Sequence, residues 1–486
     1  MSSGHNQIIK IKIFINLNIF YQNGVKLIID QAKNKVIAQI VKNLHRFSDE
    51  NLIRLSYLAE RIANDEDKPI VRFIRKMWEE KTPAAILAKN ILKDLSDNCR
   101  EKLAVNLFIN SMLIGNTKRY EFEKKNGFIP PHFMVISPTM KCNLNCVGCY
   151  AGKYQKEELD FEIVDRVIQE GKEMGMYFVT ISGGEPFTWP HLFKIIEKHN
   201  DVFFQIYTNG TLIDKKTAEK LSKIGNAAPA ISVEGFGEET DKRRGKGTYQ
   251  KVLKAMDNLR EAHCLFGFSA TPTRYNSEVL GSDDFVDFYI KKGCSFGWYF
   301  QYIPIGKEPD VSLMSTPEQR NNLRKRLSKI RDTKPIFIGD FWNDGPYIGG
   351  CIAGARPGGY LHINCNGDVE PCVFVHFAVD NIRNKSLKEV INSGFFKAIR
   401  DSQPYGSDNL LMPCMIIDHP RVLRNLVKKY SAKPTHLGSD SIVNDKKISK
   451  FLDDYAKEFM DLTKEDWEKE YKKRFKHWKE HLIKVH

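Results

Sequence analysis

From residue 133 onward, short runs of β-branched and aromatic residues alternate with longer segments whose apolar positions recur every three or four residues. The first kind predicts strands at 133–138, 177–182, 202–207, 229–233, 265–271 and 296–303. The second predicts helices at 160–174, 214–224, 248–263 and 283–292. Strand and helix taking turns in this way calls for a parallel sheet. Its crossovers are right-handed, and ligand sites gather beyond the carboxyl ends of its strands. Upstream, residues 25–124 carry helical spacing, broken at Ser48-Asp49, Asn64-Asp65, Thr82-Pro83 and Asn116. Within them, the apolar stretch 100–114 is suited to covering a barrel face. The segment 8–21 alternates like a short strand, and 360–374 reads as a hairpin turning at Asn366-Gly367. The last segment, 440–486, sets Phe451, Tyr455, Phe459, Trp467, Tyr471, Phe475 and Trp478 mainly on one face of a lysine-rich helix.

The reactive residues collect at the predicted strand ends. After the first strand come Cys142, Cys146 and Cys149, spaced C-x-x-x-C-x-x-C and followed by Tyr150. Three thiolates on one loop can each bind one iron of a 4Fe-4S cubane, leaving the fourth iron open. Zinc is the alternative, but its sites usually want four protein ligands in paired spacing, and no second pair lies near. The second strand ends in Gly183-Gly184-Glu185-Pro186, where glycines allow close backbone approach and a carboxylate can accept from an ammonium group. The third ends at Asn209-Gly210 and the fourth at Ser232, with Arg244 following in a basic turn.

The cysteine loop with its trailing aromatic residue, one strand before a Gly-Gly-Glu turn, resembles the signature of the radical S-adenosylmethionine (SAM) superfamily. The resemblance implies a partial six-stranded (β/α)6 TIM-like barrel over about 133–305. It also implies SAM chelated at the open iron and cleaved reductively to a 5'-deoxyadenosyl radical, which abstracts hydrogen from a substrate. Cys142, Cys146 and Cys149 would hold the catalytic cluster. Tyr150, Gly183, Gly184, Glu185, Asn209, Ser232 and Arg244 would contact SAM, with Glu185 at its amino group and Arg244 at its carboxylate. A reductant such as flavodoxin or ferredoxin is the implied electron donor.

Further cysteines follow the barrel: Cys351, then Cys365 and Cys372 around the hairpin, then Cys414. This arrangement resembles the SPASM or twitch-type extension of radical SAM enzymes in a form with one auxiliary iron-sulfur cluster. It implies Cys351, Cys372 and Cys414 as ligands, with Cys365 filling or leaving open a fourth position. Four buried packing cysteines are the competing reading. Cys99, Cys264 and Cys294 read as packing residues, and His362, His376 and His419 as hydrogen-bonded structural histidines.

Four regions result: a mainly helical 1–127, a core barrel over 128–335, a cysteine-bearing extension over 336–430 and a basic amphipathic tail over 431–486. The apolar fraction is that of an ordinary soluble protein, with no run of about eighteen apolar residues and no signal-peptide order at the start. A cytoplasmic location, if anything peripheral to the inner face of the membrane, is expected. With 74 basic and 60 acidic residues the net charge is +14, which favours acidic surfaces. Nucleic acid is not the expected partner. Charge, the amphipathic tail and the absence of a strand-containing leader-peptide module point to a lipid acyl chain as substrate. The auxiliary-cluster extension points instead to a peptide or protein. An iron-sulfur redox sensor is the non-enzymatic alternative, and it would not need a SAM-binding turn.

Overall fold

The computed structural model describes residues 39, 42–43, 46–62, 68–152 and 154–473. The strand expected at 8–21, and Phe475 and Trp478 of the tail, lie outside the described residues. The chain divides into two units, Met1–Lys93 and Asp94–His486. In the first, the helices Asp49–Ile62, Lys68–Glu79 and Pro83–Asp94 follow the apolar spacing, and Leu52, Trp78 and Ala85 form a small core.

The second unit is built on a nine-stranded sheet. Its strands are β1 (Phe133–Ile136), β2 (Phe178–Ile181), β3 (Phe203–Thr208), β4 (Ala227–Val233), β5 (Gly267–Ala270), β6 (Phe296–Tyr299), β7 (Phe337–Asp340), β8 (Tyr360–Ile363) and β9 (Val369–Glu370). The order is β7-β6-β5-β4-β3-β2-β1-β8-β9, with β1 to β7 parallel in sequence. All six predicted strands are present within a few residues of their expected bounds, in the mixed α/β, partial-barrel architecture that the alternation implies. Two strands add to it. β7 extends one edge, and β8 of the extension's hairpin pairs parallel with β1 at the other, Phe133 beside Tyr360. The hairpin turns as expected, with Gly367 at φ +90° and Asn364 N donating to Asp368 O at 3.1 Å. At the β5 to β7 edge, aromatic rings lie over neighbouring glycines. A Cβ on Gly297 would stand 2.2 Å from the Phe268 ring, and one on Gly339 2.4 Å from Trp298. The core is fully buried along the strands, as at Ile136, Ile181, Ile206, Ile231 and Phe268.

Residues 94–126 belong to the same compact unit as the barrel. The π-helical stretch Leu103–Ile114 does cover the barrel, but at the end where strands begin. Asn106 Nδ2 donates to the carbonyls of Asn200 and Val202 at 2.8 and 2.9 Å, and Asn110 Nδ2 to Asp201 O at 2.8 Å, all just before β3. This cover therefore closes the floor, opposite the cysteine loop, and does not roof the reactive end.

The tail docks on the protein's own helices. Helix Lys446–Asp466 buries Leu452, Tyr455 and Phe459 against helices Pro317–Thr333 and Pro420–Lys429, while Trp467 and Tyr471 pack on Leu410 and Leu411. The Arg320 guanidinium lies 3.8 Å over the Phe459 ring. The aromatic face of the described part of the tail is thus spent on the protein's own core. Among the described residues, no helix is long and apolar enough to cross a membrane.

Candidate active site and auxiliary cysteine site

The cysteine loop leaves β1 at the carboxyl end of the sheet and is pinned there by the turn after β2. Gly184 N donates to Thr139 O at 2.9 Å and Glu185 N to Lys141 O at 2.8 Å. The two glycines are required by this crossing. A Cβ on Gly183, at φ +122°, would lie 2.2 Å from Thr139 O, and one on Gly184 2.3 Å from Lys141 O. Tyr150 closes the loop from its other end, its hydroxyl 2.8 Å from Ser182 Oγ and 3.4 Å from Gly183 O. Burial pushes the Tyr150 phenol up to about 12, so it stays a neutral hydrogen-bonding group.

Glu185 is a buried acceptor at the end of β2. It is 0 % exposed. Its Oε1 accepts from Thr208 Oγ1 at 2.7 Å and Phe187 N at 3.1 Å, and its Oε2 from Asn209 N at 2.7 Å. Burial raises its pKa, and these donors oppose the rise. The carboxylate thus fixes the ends of β2 and β3 relative to each other. Asn209 in turn reaches the loop, its Nδ2 3.8 Å from Cys142 Sγ and 2.9 Å from Asn143 Oδ1. Ser232 sits near the end of β4, in register with Ser269 of β5 and partly exposed.

Arg244 stands beside the thiols. Partial burial raises the Cys146 pKa and Arg244 pulls it back, while Arg244 is itself held charged against burial by Glu234. Its Nε donates to Glu234 Oε1 at 2.8 Å. Glu234 and Arg243, both part of this cluster, carry no local sequence signal that separates them from an ordinary strand-end acid and a solvated basic run.

The later cysteines converge from three separate segments. Cys372 and Cys414 both lie near enough to Cys351 to interact with it electrostatically, and burial raises all three thiols, Cys372 to about 12. Cys365 faces elsewhere. Its Sγ donates to Lys156 O at 2.9 Å, and its charged neighbours are Glu370 and Asp368. Its thiol is thus engaged at the Lys156 carbonyl beside the hairpin turn. The donor sets suit iron-sulfur clusters, whose sulfurs take backbone hydrogen bonds. Leu144 N points at Cys142 Sγ (3.4 Å), Ala353 N at Cys351 Sγ (3.5 Å) and Ile416 N at Cys414 Sγ (3.3 Å). Among the described residues no group of three or more His, Cys, Asp or Glu is drawn together tightly enough to hold a single metal ion.

Comparison with known families gives two matches. The radical SAM superfamily profile matches residues 136–271, and the SPASM iron-sulfur cluster-binding domain matches 351–426. The chain is a radical SAM protein with a SPASM extension. It is an enzyme, its cofactors are a 4Fe-4S cluster and SAM, and its extension implies additional iron-sulfur binding. Among relatives of this radical SAM protein, the AdoMet-dependent heme synthase of Methanosarcina barkeri is 26% identical over 56% of this chain and 86% of its own. The mycofactocin maturase MftC of Mycolicibacterium smegmatis is 29% identical over 59% of this chain and 76% of its own. Streptococcus suis SuiB bound to S-adenosylmethionine shares the fold, with TM-score 0.52 and 21% identity over 68% of this chain and 82% of that one.

A buried polar network joins the SPASM hairpin to the radical SAM core. His362 Nδ1 lies 2.6 Å from Glu370 Oε2 and its Nε2 2.7 Å from Ser137 Oγ, at the end of β1. Glu370 Oε1 accepts from Thr435 Oγ1 at 2.6 Å and Asn364 Nδ2 at 2.9 Å. His376 pairs with His436 at 2.7 Å, and His419 Nε2 lies 2.9 Å from Met412 O. The three histidines are structural, as their isolated positions predict. Cys99, Cys264 and Cys294 are buried packing residues.

Proposed function

We propose that this enzyme removes a hydrogen atom from a peptide substrate held at the carboxyl end of its partial barrel. The observation that carries the reading is the match to a mycofactocin maturase over 59% of this chain, in a chain that also matches the radical SAM and SPASM models. When bound, the 4Fe-4S cluster and SAM supply a 5'-deoxyadenosyl radical. The chain's own residues hold and shield that chemistry. Cys142, Cys146 and Cys149 bind the cluster, Arg244 and the Gly183-Gly184 turn border SAM, and Asn209 steadies the loop at Cys142. Tyr207, Phe300, Phe341, Trp342 and Phe374 make a continuous aromatic wall, with ring centroids 4.9 to 6.5 Å apart, that excludes water from a reactive centre. Cys351, Cys372 and Cys414 bind the auxiliary cluster, and Cys365 anchors the hairpin.

The lipid reading loses its structural ground once the tail's aromatic face is inside the protein. A tetrapyrrole is the second reading, supported by the heme synthase relative. Side-chain-deuterated peptides and Fe-coproporphyrin, each incubated with reduced enzyme and SAM, separate the two. Deuterium arriving in 5'-deoxyadenosine from a peptide supports the first reading, and SAM turnover stimulated by the porphyrin alone replaces it with the second.

Two further results are expected. Glu185→Ala strands the donors of Asn209, Thr208 and Phe187 and lets the β2 and β3 turns drift. SAM affinity should fall roughly tenfold, the equivalent of about 1.4 kcal/mol, with cluster iron nearly unchanged. Equilibrium binding and iron assay check this; loss of iron at unaltered SAM affinity would mean that the turn serves the cluster instead. At the auxiliary site, the Tyr360 hydroxyl lies 2.9 Å from Cys372 Sγ. A hydrogen bond to sulfur favours the more negative, reduced cluster, so Tyr360→Phe should lower its potential by on the order of 60 mV. Cys365→Ala should leave the same spectrum and potential unmoved, as potentiometric titration will record.

A further inference from the structure

Arg243, one residue before the arginine that borders SAM, reaches the cysteine loop itself. Its Nε donates to Val147 O at 3.2 Å and its Nη2 to Gly148 O at 3.4 Å. In return Val147 N donates to the Arg243 carbonyl at 2.9 Å. Nη1 is held by Glu234 Oε1 at 2.6 Å, and Glu234 is 0 % exposed. The two residues bound in this way are those between Cys146 and Cys149.

Packing fixes this stretch on one side only. Val147 is 54 % exposed, while Gly148, at φ +64°, lies so close to its neighbours that a Cβ would stand 2.6 Å from the Tyr302 ring and 2.9 Å from Leu313. A planar guanidinium fork gripping two consecutive carbonyls does what packing does not, and a lysine could not reproduce it. Glu234 is itself fixed by its backbone, its N–H donating to Thr240 Oγ1 at 3.1 Å and its carbonyl accepting from Asn276 Nδ2 at 2.9 Å. One buried carboxylate oxygen thus holds Arg243 on the loop and Arg244 beside the thiols.

We infer that Arg243 is the positioning residue of the catalytic cluster: it sets where Cys146 and Cys149 stand, and Glu234 holds it in place. This rests on the cysteine loop being the SAM-binding cluster site, and the charge it brings beside the thiolates also favours the reduced cluster.

The test uses full-length enzyme, reconstituted anaerobically, with two readouts: the midpoint potential of the paramagnetic signal that responds to SAM, and the rate at which a ferrous chelator removes that signal. Arg243→Met should lower the potential and speed signal loss by about tenfold or more, the usual scale for a residue supporting metal ligands. Arg243→Lys keeps the charge without the fork; it should restore most of the potential while losing the signal nearly as fast as Arg243→Met. Should Arg243→Met fail to fold, the lysine variant decides alone: signal loss at the wild-type rate overturns the proposal. So does Arg243→Met with wild-type potential and wild-type signal loss. A wild-type enzyme with no SAM-responsive signal would instead overturn the cluster assignment beneath it.

Discussion

Alanine at Cys142, Cys146 and Cys149 together should abolish release of 5'-deoxyadenosine from SAM, down to the level of protein-free controls. The effect is complete because the three thiols are the only cysteines on the loop, and a cubane without three protein ligands does not persist. Iron content should fall by about four per chain, and about four should remain on Cys351, Cys372 and Cys414 with a reducible signal of their own. Product analysis and iron assay on the same preparation read both. Undiminished cleavage in this variant would place the chemistry elsewhere, and a variant with no iron at all would make the extension a structural cap.

The second large effect is on stability. Arg320 and Asp418 form an ion pair of 2.6 Å in which both side chains are 0 % exposed. Each is bonded further, Arg320 Nε to Asn343 Oδ1 at 3.0 Å and Asp418 Oδ2 to Cys414 N at 2.9 Å. Burial disfavours the Arg320 charge, but Asp418 outweighs it and raises its pKa. Removing one partner leaves the other charged and uncompensated in the core, a loss of about 3–5 kcal/mol. Arg320→Met should therefore unfold at clearly lower denaturant. It should also loosen the auxiliary cluster, because the Asp418 that it frees holds the Cys414 turn. Denaturation followed by tryptophan fluorescence, with the auxiliary signal recorded alongside, checks both. A midpoint equal to wild type would mean that Asp418 finds another partner.

Much of this was legible in the chain. The parallel strands show because each is a compact apolar run set off by polar turns from the helical segments around it, and the loop cysteines because their spacing is local. What was not legible depends on distance along the chain. β8 pairs with β1 across more than two hundred residues, and no local pattern marks an edge strand for a parallel partner. Helix Leu192–Lys198 has seven residues, too few for its period to stand out. Arg243 and Arg244 share one basic run, and only the fold sends one to the loop carbonyls and the other toward the thiols. The aromatic spacing of the tail predicts an apolar helical face correctly, but amphipathicity does not say what covers that face. Here it is the Arg320 helix. Glu185 was recognised by its motif, while its task, holding two turns together from inside, follows from burial that no motif displays.

The central claim is that the three-cysteine loop holds a cluster with one iron open to SAM. It is tested most directly on a variant in which Cys351, Cys372 and Cys414 are alanine, so that any cluster present belongs to the loop. Reduced anaerobically, this variant should give a paramagnetic resonance spectrum that shifts when SAM is added and saturates with SAM concentration. A spectrum that stays the same at saturating SAM would contradict the account.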